Sequence, residues 1–299
     1  MKILIVGGTG MIGIHTAVHL RSEGHDVTLG ARRPPAPDSV AATFPLLIDD
    51  YTATRLTAAD LAGFDAIVFS AGNDIRHIGA DDDRADFWRR TQTEGVPAFI
   101  ARARDAGVPR VVHLGSYYHQ VMPHLVERDD YVRARALADE GARALATPDF
   151  NVCTLNPPSI VGIVPGVMTP RYTTLIAYAR GELDVPVFAP LGGTNYMSVR
   201  SLAQAISGAL RGAESGKAYL IGDENLTYRD YFQLFFDAVG NPARVEVRDA
   251  DHPLLPPAFM IPGRGSVLAY EPDAQETALL GYDRGDVRRA LDEIVAAHG

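Results

Sequence analysis

Lysine is almost absent from this 299-residue chain: only Lys2 and Lys217 occur, so nearly all of the 28 Lys and Arg side chains are arginines. Chemistry that needs a lysine amine at any other position is excluded. Cysteine is scarcer still. Cys153 stands alone, in what reads as a buried strand, which excludes an intrachain disulfide and a multi-cysteine metal site. No HExxH or comparable ligand spacing occurs, so no metal is expected. No apolar run approaches the roughly 20 residues needed to span a bilayer, and the N-terminal apolar run is far shorter than a signal-peptide core. A cytoplasmic protein without a membrane partner is expected. Positive charge does not collect either. The formal charge is −9 and Arg32-Arg33 is too short for a basic patch, so nucleic acid is not an expected partner.

What the chain does have is 46% hydrophobic residues, enough for a large core near the size at which a second lobe appears. Its most informative feature is the run Gly7-Gly8-Thr9-Gly10-Met11-Ile12-Gly13, directly after Ile3-Leu4-Ile5-Val6. A short buried strand must reverse there into a helix whose first turn has unpaired N–H groups. Gly7 permits the tight turn, Gly10 lets backbone approach a pyrophosphate, and Gly13 lets the helix pack on the strand. With the helix N-terminus as donor, Gly7, Thr9, Gly10, Met11, Ile12 and Gly13 are the candidate diphosphate ligands.

Strand-like and helix-like segments then alternate, which predicts an α/β fold with a doubly wound parallel sheet of Rossmann type. Strands are expected over 27–29, 44–48, 64–72, 110–116 and 151–155, and a long helix over 86–106, interrupted in character by Gly95 and Pro97. The expected organisation is a nucleotide-binding domain over 1–160, to which the chain returns at about 190–215. A smaller C-terminal substrate lobe, interleaved with that domain, is expected over 161–299.

Glycines 7, 10 and 13 form G-x-x-G-x-x-G, which resembles the short-chain dehydrogenase/reductase superfamily in its extended branch of epimerases, dehydratases and reductases. The resemblance covers Met1 to about Asn241 and implies a Rossmann fold holding a hydride-transfer dinucleotide. At the end of the second strand, NAD-preferring relatives carry an acidic residue for the ribose hydroxyls. Here Ala31 stands there and Arg32 and Arg33 follow, so NADP is expected over NAD, because a guanidinium fork matches a 2′-phosphate. Asp49 or Asp50 resembles the family aspartate near the adenine, and Ala71 and Gly72 the small residues beside the cofactor. Asn156-Pro157-Pro158-Ser159-Ile160-Val161-Gly162 resembles the segment that passes the nicotinamide, with Pro157 and Ser159 as contacts.

The family's chemistry rests on a serine, a tyrosine and a lysine four residues beyond the tyrosine. The resemblance places Ser116 as the residue that positions the substrate oxygen and Tyr131 as the acid/base. The lysine position holds Arg135. Arginine keeps a positive charge near the tyrosine and can bond the ribose, but it is never deprotonated, so a relay through lysine and water is unavailable. The connection from Ser116 to Tyr131 is short for the extended branch. It contains Tyr117 and Tyr118, rival proton donors or pocket walls, and His119 and His124, which read as solvent-exposed loop histidines. Arg133, Arg135, Asp139, Glu140 and Arg143 make the tyrosine helix polar, and a monomer or homodimer is expected. Asn73 to Ile78 and Met168 to Tyr178 are expected to contact a small-molecule substrate. The expectation is an NADP-dependent oxidoreductase acting on a carbonyl or secondary alcohol. An epimerase or dehydratase of the same fold, or a dinucleotide-binding sensor or scaffold without turnover, remains open.

Overall fold

A computed structural model describes residues 1–53, 56–164 and 166–298. The chain divides into two compact units: residues 1–157, 202–221 and 273–282 form the first, and 158–201, 222–272 and 283–299 the second.

The first unit is built on a parallel sheet. Its strands are β1 (Lys2–Val6), β2 (Asp26–Ala31), β3 (Leu46–Ile48), β4 (Ala66–Phe69), β5 (Arg110–Leu114), β6 (Asn151–Asn156) and β10 (Ala218–Leu220). They lie in the order β10-β6-β5-β4-β1-β2-β3, every neighbouring pair parallel. The expected doubly wound sheet is therefore present. Ile3, Leu4 and Ile5 of β1, and Ala66, Ile67 and Val68 of β4, are wholly buried, as strands covered by helices on both faces must be. Cys153 is buried in β6.

The covering helices are α1 (Met11–Ser22), α2 (Ala58–Leu61), α3 (Arg84–Trp88), α4 (Gly95–Asp105), α5 (Tyr118–Val121), α6 (Leu125–Arg128), α7 (Asp130–Arg143), α9 (Val199–Gly212) and α11 (Ala274–Leu280). The single long helix expected over 86–106 is in fact α3 and α4 joined by a π-helical turn, Arg89–Thr93. Gly95 makes the wide turn possible, since a Cβ there would lie 1.8 Å from the Arg90 carbonyl oxygen. Pro97 sits in the first turn of α4, where its missing N–H costs nothing. Gly141 brings α7 against α4, because a Cβ at that position would lie 2.7 Å from Pro97 Cγ.

The second unit holds β7 (Ser159–Val161), β8 (Phe188–Pro190), β9 (Gly193–Ser198), β11 (Glu224–Thr227), β12 (Glu246–Arg248) and β13 (Val267–Leu268), with α8 (Pro170–Ala179), α10 (Tyr228–Ala238) and α12 (Val287–His298). β9 pairs with β11, β13 and β7, and β12 pairs with β8. Its core is aromatic: Tyr172, Tyr178, Tyr231, Phe232, Phe235 and Phe236 are all buried. Tyr196 stacks on Tyr231 at 4.4 Å with the planes 5° apart. Thr227 caps α10 by accepting the Asp230 N–H, as the Thr-x-x-Asp spacing predicts. Asp223 accepts the N–H groups of Gly285 (2.6 Å) and Asp286 (3.1 Å), which open α12.

Candidate active site

The C-terminal ends of β1, β2, β3 and β4 and the turn into α1 enclose a cavity of about 510 Å³. Ligands bind along this edge in open α/β sheets. Gly7 takes φ +80°, and a Cβ on it would lie 2.8 Å from the Ala71 backbone. A Cβ on Gly13 would lie 2.4 Å from the Gly7 carbonyl oxygen, so α1 seats on its own entry loop only with glycine there. Gly10 is different. A Cβ on it would meet only Gly7 O, at 3.4 Å. No side chain caps α1, and the N–H groups of Met11, Ile12 and Gly13 find no backbone acceptor among the described residues. Unpaired donors at a helix start beside a cavity fit the diphosphate of a dinucleotide.

Gly7, Thr9, Gly10, Arg32, Asp49, Ala71, Gly72 and Asn73 line this cavity, whereas Met11, Ile12, Gly13, Arg33, Pro157 and Ser159 do not. Pro157 closes a segment of the first unit, and Ser159 begins β7 of the second. Ala31 is buried at the end of β2, and Arg32 follows on the cavity wall with no ion pair among the described residues. Asp50 Oδ1 accepts from Thr52 N and Oγ1, which fixes the turn after β3. From below, Arg102 of α4 donates to the Tyr51 carbonyl at 3.1 Å.

Tyr51 is a wall residue that sequence reasoning missed. Its hydroxyl donates to Thr91 O and accepts from Asn73 Nδ2, both at 2.7 Å, and burial pushes it up to about 12. Asn73, expected at the substrate, thus commits its amide to Tyr51. Its carbonyl accepts from Gln92 Nε2 at 2.8 Å.

A second group gathers past the end of β5. Ser116 and Tyr117 are buried there, and the short stretch to Tyr131 is taken up by α5 and α6. Asp129 accepts the Val132 N–H and starts α7, which puts Tyr131 in its first turn. The Tyr131 ring packs 5.4 Å from Trp88 and 6.2 Å from Tyr118, and Tyr118 lies 4.3 Å from Tyr117. Ser116, Tyr131 and Arg135 do not line the cavity described above.

Arg135 lies one turn beyond Tyr131 and is buried, at 6% exposure. Its Nη1 donates to Gln92 Oε1 at 3.3 Å, and its Nη2 donates to the carbonyls of Leu114, at 2.8 Å, and Gly115. Three of the five guanidinium N–H bonds are thereby engaged, and Nε is buried without a partner. All three acceptors are neutral. The charge reaches His113, whose imidazole burial first and Arg135 second push down to about 3. Gln92, the other end of this clamp, was invisible in the sequence because only the π turn directs it inward.

The polar face of α7 also differs from expectation. Asp139 is fully buried and accepts from Arg143 Nε at 2.7 Å and Asn156 Nδ2 at 3.3 Å. His119 Nε2 bonds the same carboxylate at 3.0 Å. Burial alone raises that carboxyl, but the hydrogen bonds from His119 and Arg143 override it and hold it well below the usual carboxylate range. His119, read from sequence as a solvent-exposed loop histidine, is therefore turned inward with its side chain only 11% exposed. His124 is exposed. The pairing escapes the sequence because α5 brings His119 to a carboxylate twenty positions away. Gly115 completes the arrangement, since a Cβ there would lie 1.9 Å from Asn156 Oδ1. Among the described residues no cluster of three potential metal ligands occurs, and no helix is long and apolar enough to cross a membrane.

No curated protein sequence gives a significant match. Among solved structures, the UDP-Glc/GlcNAc 4-epimerase of Campylobacter jejuni matches with a TM-score of 0.73 at 18% identity, over 99% of this chain and 98% of that one. A UDP-glucose 4-epimerase of Stenotrophomonas maltophila, solved with NAD and a formylated UDP-arabinopyranose, matches at 0.72 and 20% identity, over 99% and 98%. The UDP-N-acetylglucosamine 4-epimerase of Bacillus cereus matches at 0.71 and 14% identity, over 99% and 96%. At these identities the likeness shows the fold. A sequence profile goes further: residues 3–222 match the NAD dependent epimerase/dehydratase family, a family of nicotinamide-dinucleotide enzymes, and the chain belongs to it.

Proposed function

We propose that this enzyme transfers hydride between NADP and the carbonyl or secondary-alcohol carbon of a small molecule, with Tyr131 as its acid/base. The observation that carries the cofactor choice is the end of β2, where Ala31 leaves no carboxylate and Arg32 stands on the cavity wall without an ion pair among the described residues. A free guanidinium there matches a 2′-phosphate and has nothing to match in a bare ribose diol.

In this reading the N–H groups opening α1 hold the diphosphate, with Gly7, Thr9 and Gly10 on the cavity wall. Asp49 and Tyr51 flank the adenine. The bound dinucleotide supplies or accepts the hydride. Ser116 orients the substrate oxygen, and the Tyr131 hydroxyl gives that oxygen a proton in reduction and takes it back in oxidation. Arg135 locks the carbonyls that precede Ser116, and the second N–H of its Nη1 is the one left for the ribose.

Fluorescence titration with NADPH and NADH tests the cofactor. NADPH is expected to bind more tightly, and Arg32→Ala to weaken it about 10- to 100-fold, the value of one or two charge-assisted hydrogen bonds. A preference for NADH overturns the assignment. Tyr131→Phe is expected to abolish NADPH oxidation by carbonyl compounds while preserving NADPH affinity, and unchanged turnover refutes Tyr131 as proton donor. The solved neighbour that holds NAD and a UDP-sugar favours a second reading, an NAD-dependent epimerase. Inversion of UDP-hexoses without net cofactor oxidation would select it.

A further inference from the structure

Of the buried polar atoms in the first unit that have no hydrogen-bond partner, four are His113 Nε2, His119 Nδ1, Arg135 Nε and Asn156 Oδ1. They belong to one cluster. His113 Nδ1 meets Thr154 Oγ1 at 3.3 Å, on the strand that ends at Asn156. Asn156 Nδ2 reaches Asp139, which holds His119. Arg135 grips the Gly115 carbonyl, and Asn156 Oδ1 faces the open side of the same glycine. An orphaned buried donor or acceptor costs about 1–3 kcal/mol, and buried polar sites of this kind are where proteins hold ordered water.

The same cluster sits beside the site's chemical gap. Tyr131, Arg135, Asp139 and Arg143 follow one another at four-residue intervals along one stripe of α7. A tyrosine that gives up a proton at each turnover must be resupplied, and the guanidinium next to it cannot take part in that exchange. His119 is the neutral-to-cationic group at hand. A buried carboxylate fixes its ring through Nε2, and Nδ1 remains for exchange.

We propose that His119, oriented by Asp139, is the proton-relay residue of this site, passing protons through water held among His113, Arg135 and Asn156 to and from Tyr131. In the direction of carbonyl reduction, the Tyr131 O–H bond breaks as its proton goes to the substrate oxygen. The phenolate then takes a proton from the water chain, which takes one from His119 Nδ1, and Nδ1 is reprotonated through water that exchanges with solvent. Oxidation runs the same path in reverse. Asp139 of α7 bonds the imidazole and also holds Arg143, while His113 of β5, kept neutral by its burial, feels His119, Asp139, Arg143 and Arg135 together.

The inference rests on Tyr131 being the acid/base, and the test separates the two. His119→Gln keeps a side-chain N–H for Asp139 but cannot shuttle a proton. It is expected to keep NADPH affinity and thermal stability, lose about 100-fold in kcat, and lose a pH-dependent step that the wild type shows. Histidine-labelled protein with NADP⁺ as the only added ligand gives a readout free of turnover. The ring-nitrogen signals of His119 are expected to move on Tyr131→Phe, and those of exposed His124 to stay put. Turnover lost in Tyr131→Phe but retained in His119→Gln with an unchanged pH profile overturns the relay alone, as do His119 signals indifferent to Tyr131→Phe. Turnover that survives Tyr131→Phe overturns the proposed function itself.

Discussion

Replacing Arg135 by the lysine that the family resemblance leads one to expect should damage this protein. The guanidinium bridges three acceptors on two sides: Gln92 Oε1 from the π turn, and the Leu114 and Gly115 carbonyls at the end of β5. Lysine offers three donors from one nitrogen, which cannot span a fork of that width. Arg135→Lys therefore forfeits at least one charge-assisted bond, about 1.5–3 kcal/mol, and leaves a buried acceptor unpaired, about 1–3 kcal/mol. A total of about 3 kcal/mol is expected, or a melting temperature lower by about 5 °C. Differential scanning calorimetry reads this directly, with Arg143→Lys as a control on a less buried guanidinium. A melting temperature within about 2 °C of wild type refutes the clamp and returns Arg135 to the status of an ordinary lysine substitute.

Gly95→Ala drives a Cβ to within 1.8 Å of the Arg90 carbonyl, a backbone atom that cannot swing aside. The π turn must rearrange and Gln92 leave both Asn73 and Arg135, so urea denaturation should show a loss of about 3 kcal/mol or more; a loss below about 1 kcal/mol contradicts the turn's dependence on glycine. His252 is buried among Phe188, Phe232 and Tyr178, its Nδ1 accepts from Leu254 N, and burial pushes it down to about 4. The unfolded chain, with a histidine near 6.5, binds the proton first, so stability falls as pH drops from about 6.5 toward 4, by up to about 3 kcal/mol. His252→Phe should flatten that slope relative to wild type, and identical slopes in the two proteins would disprove the assignment.

The central strands β1, β4, β5 and β6 were legible in the sequence because each is a short, largely apolar run leading to a glycine or asparagine, a pattern set by local rules. The glycine loop was legible for the same reason: Gly7 and Gly13 each answer a different steric demand of one turn, while a Cβ on Gly10 would meet only Gly7 O. The walls around it were less so. Thr91 and Gln92 reach the site through a π turn, and an extra residue in one helical turn shifts every inward position after it without marking the sequence beyond a glycine. His119 illustrates a different limit. Its character depends on Asp139, Arg143 and Asn156, which come from another helix and a strand, and no spacing rule connects them.

The solitary thiol of Cys153 has a practical consequence. Enclosed in β6 and pushed up to about 12 by burial, it offers no thiolate to an alkylating reagent while the protein is folded. The natural chain therefore already behaves as a cysteine-free background. A cysteine introduced at exposed Leu137 of α7 would be its one reactive handle for a fluorophore or spin label, and modification of Cys153 itself would report unfolding of the sheet.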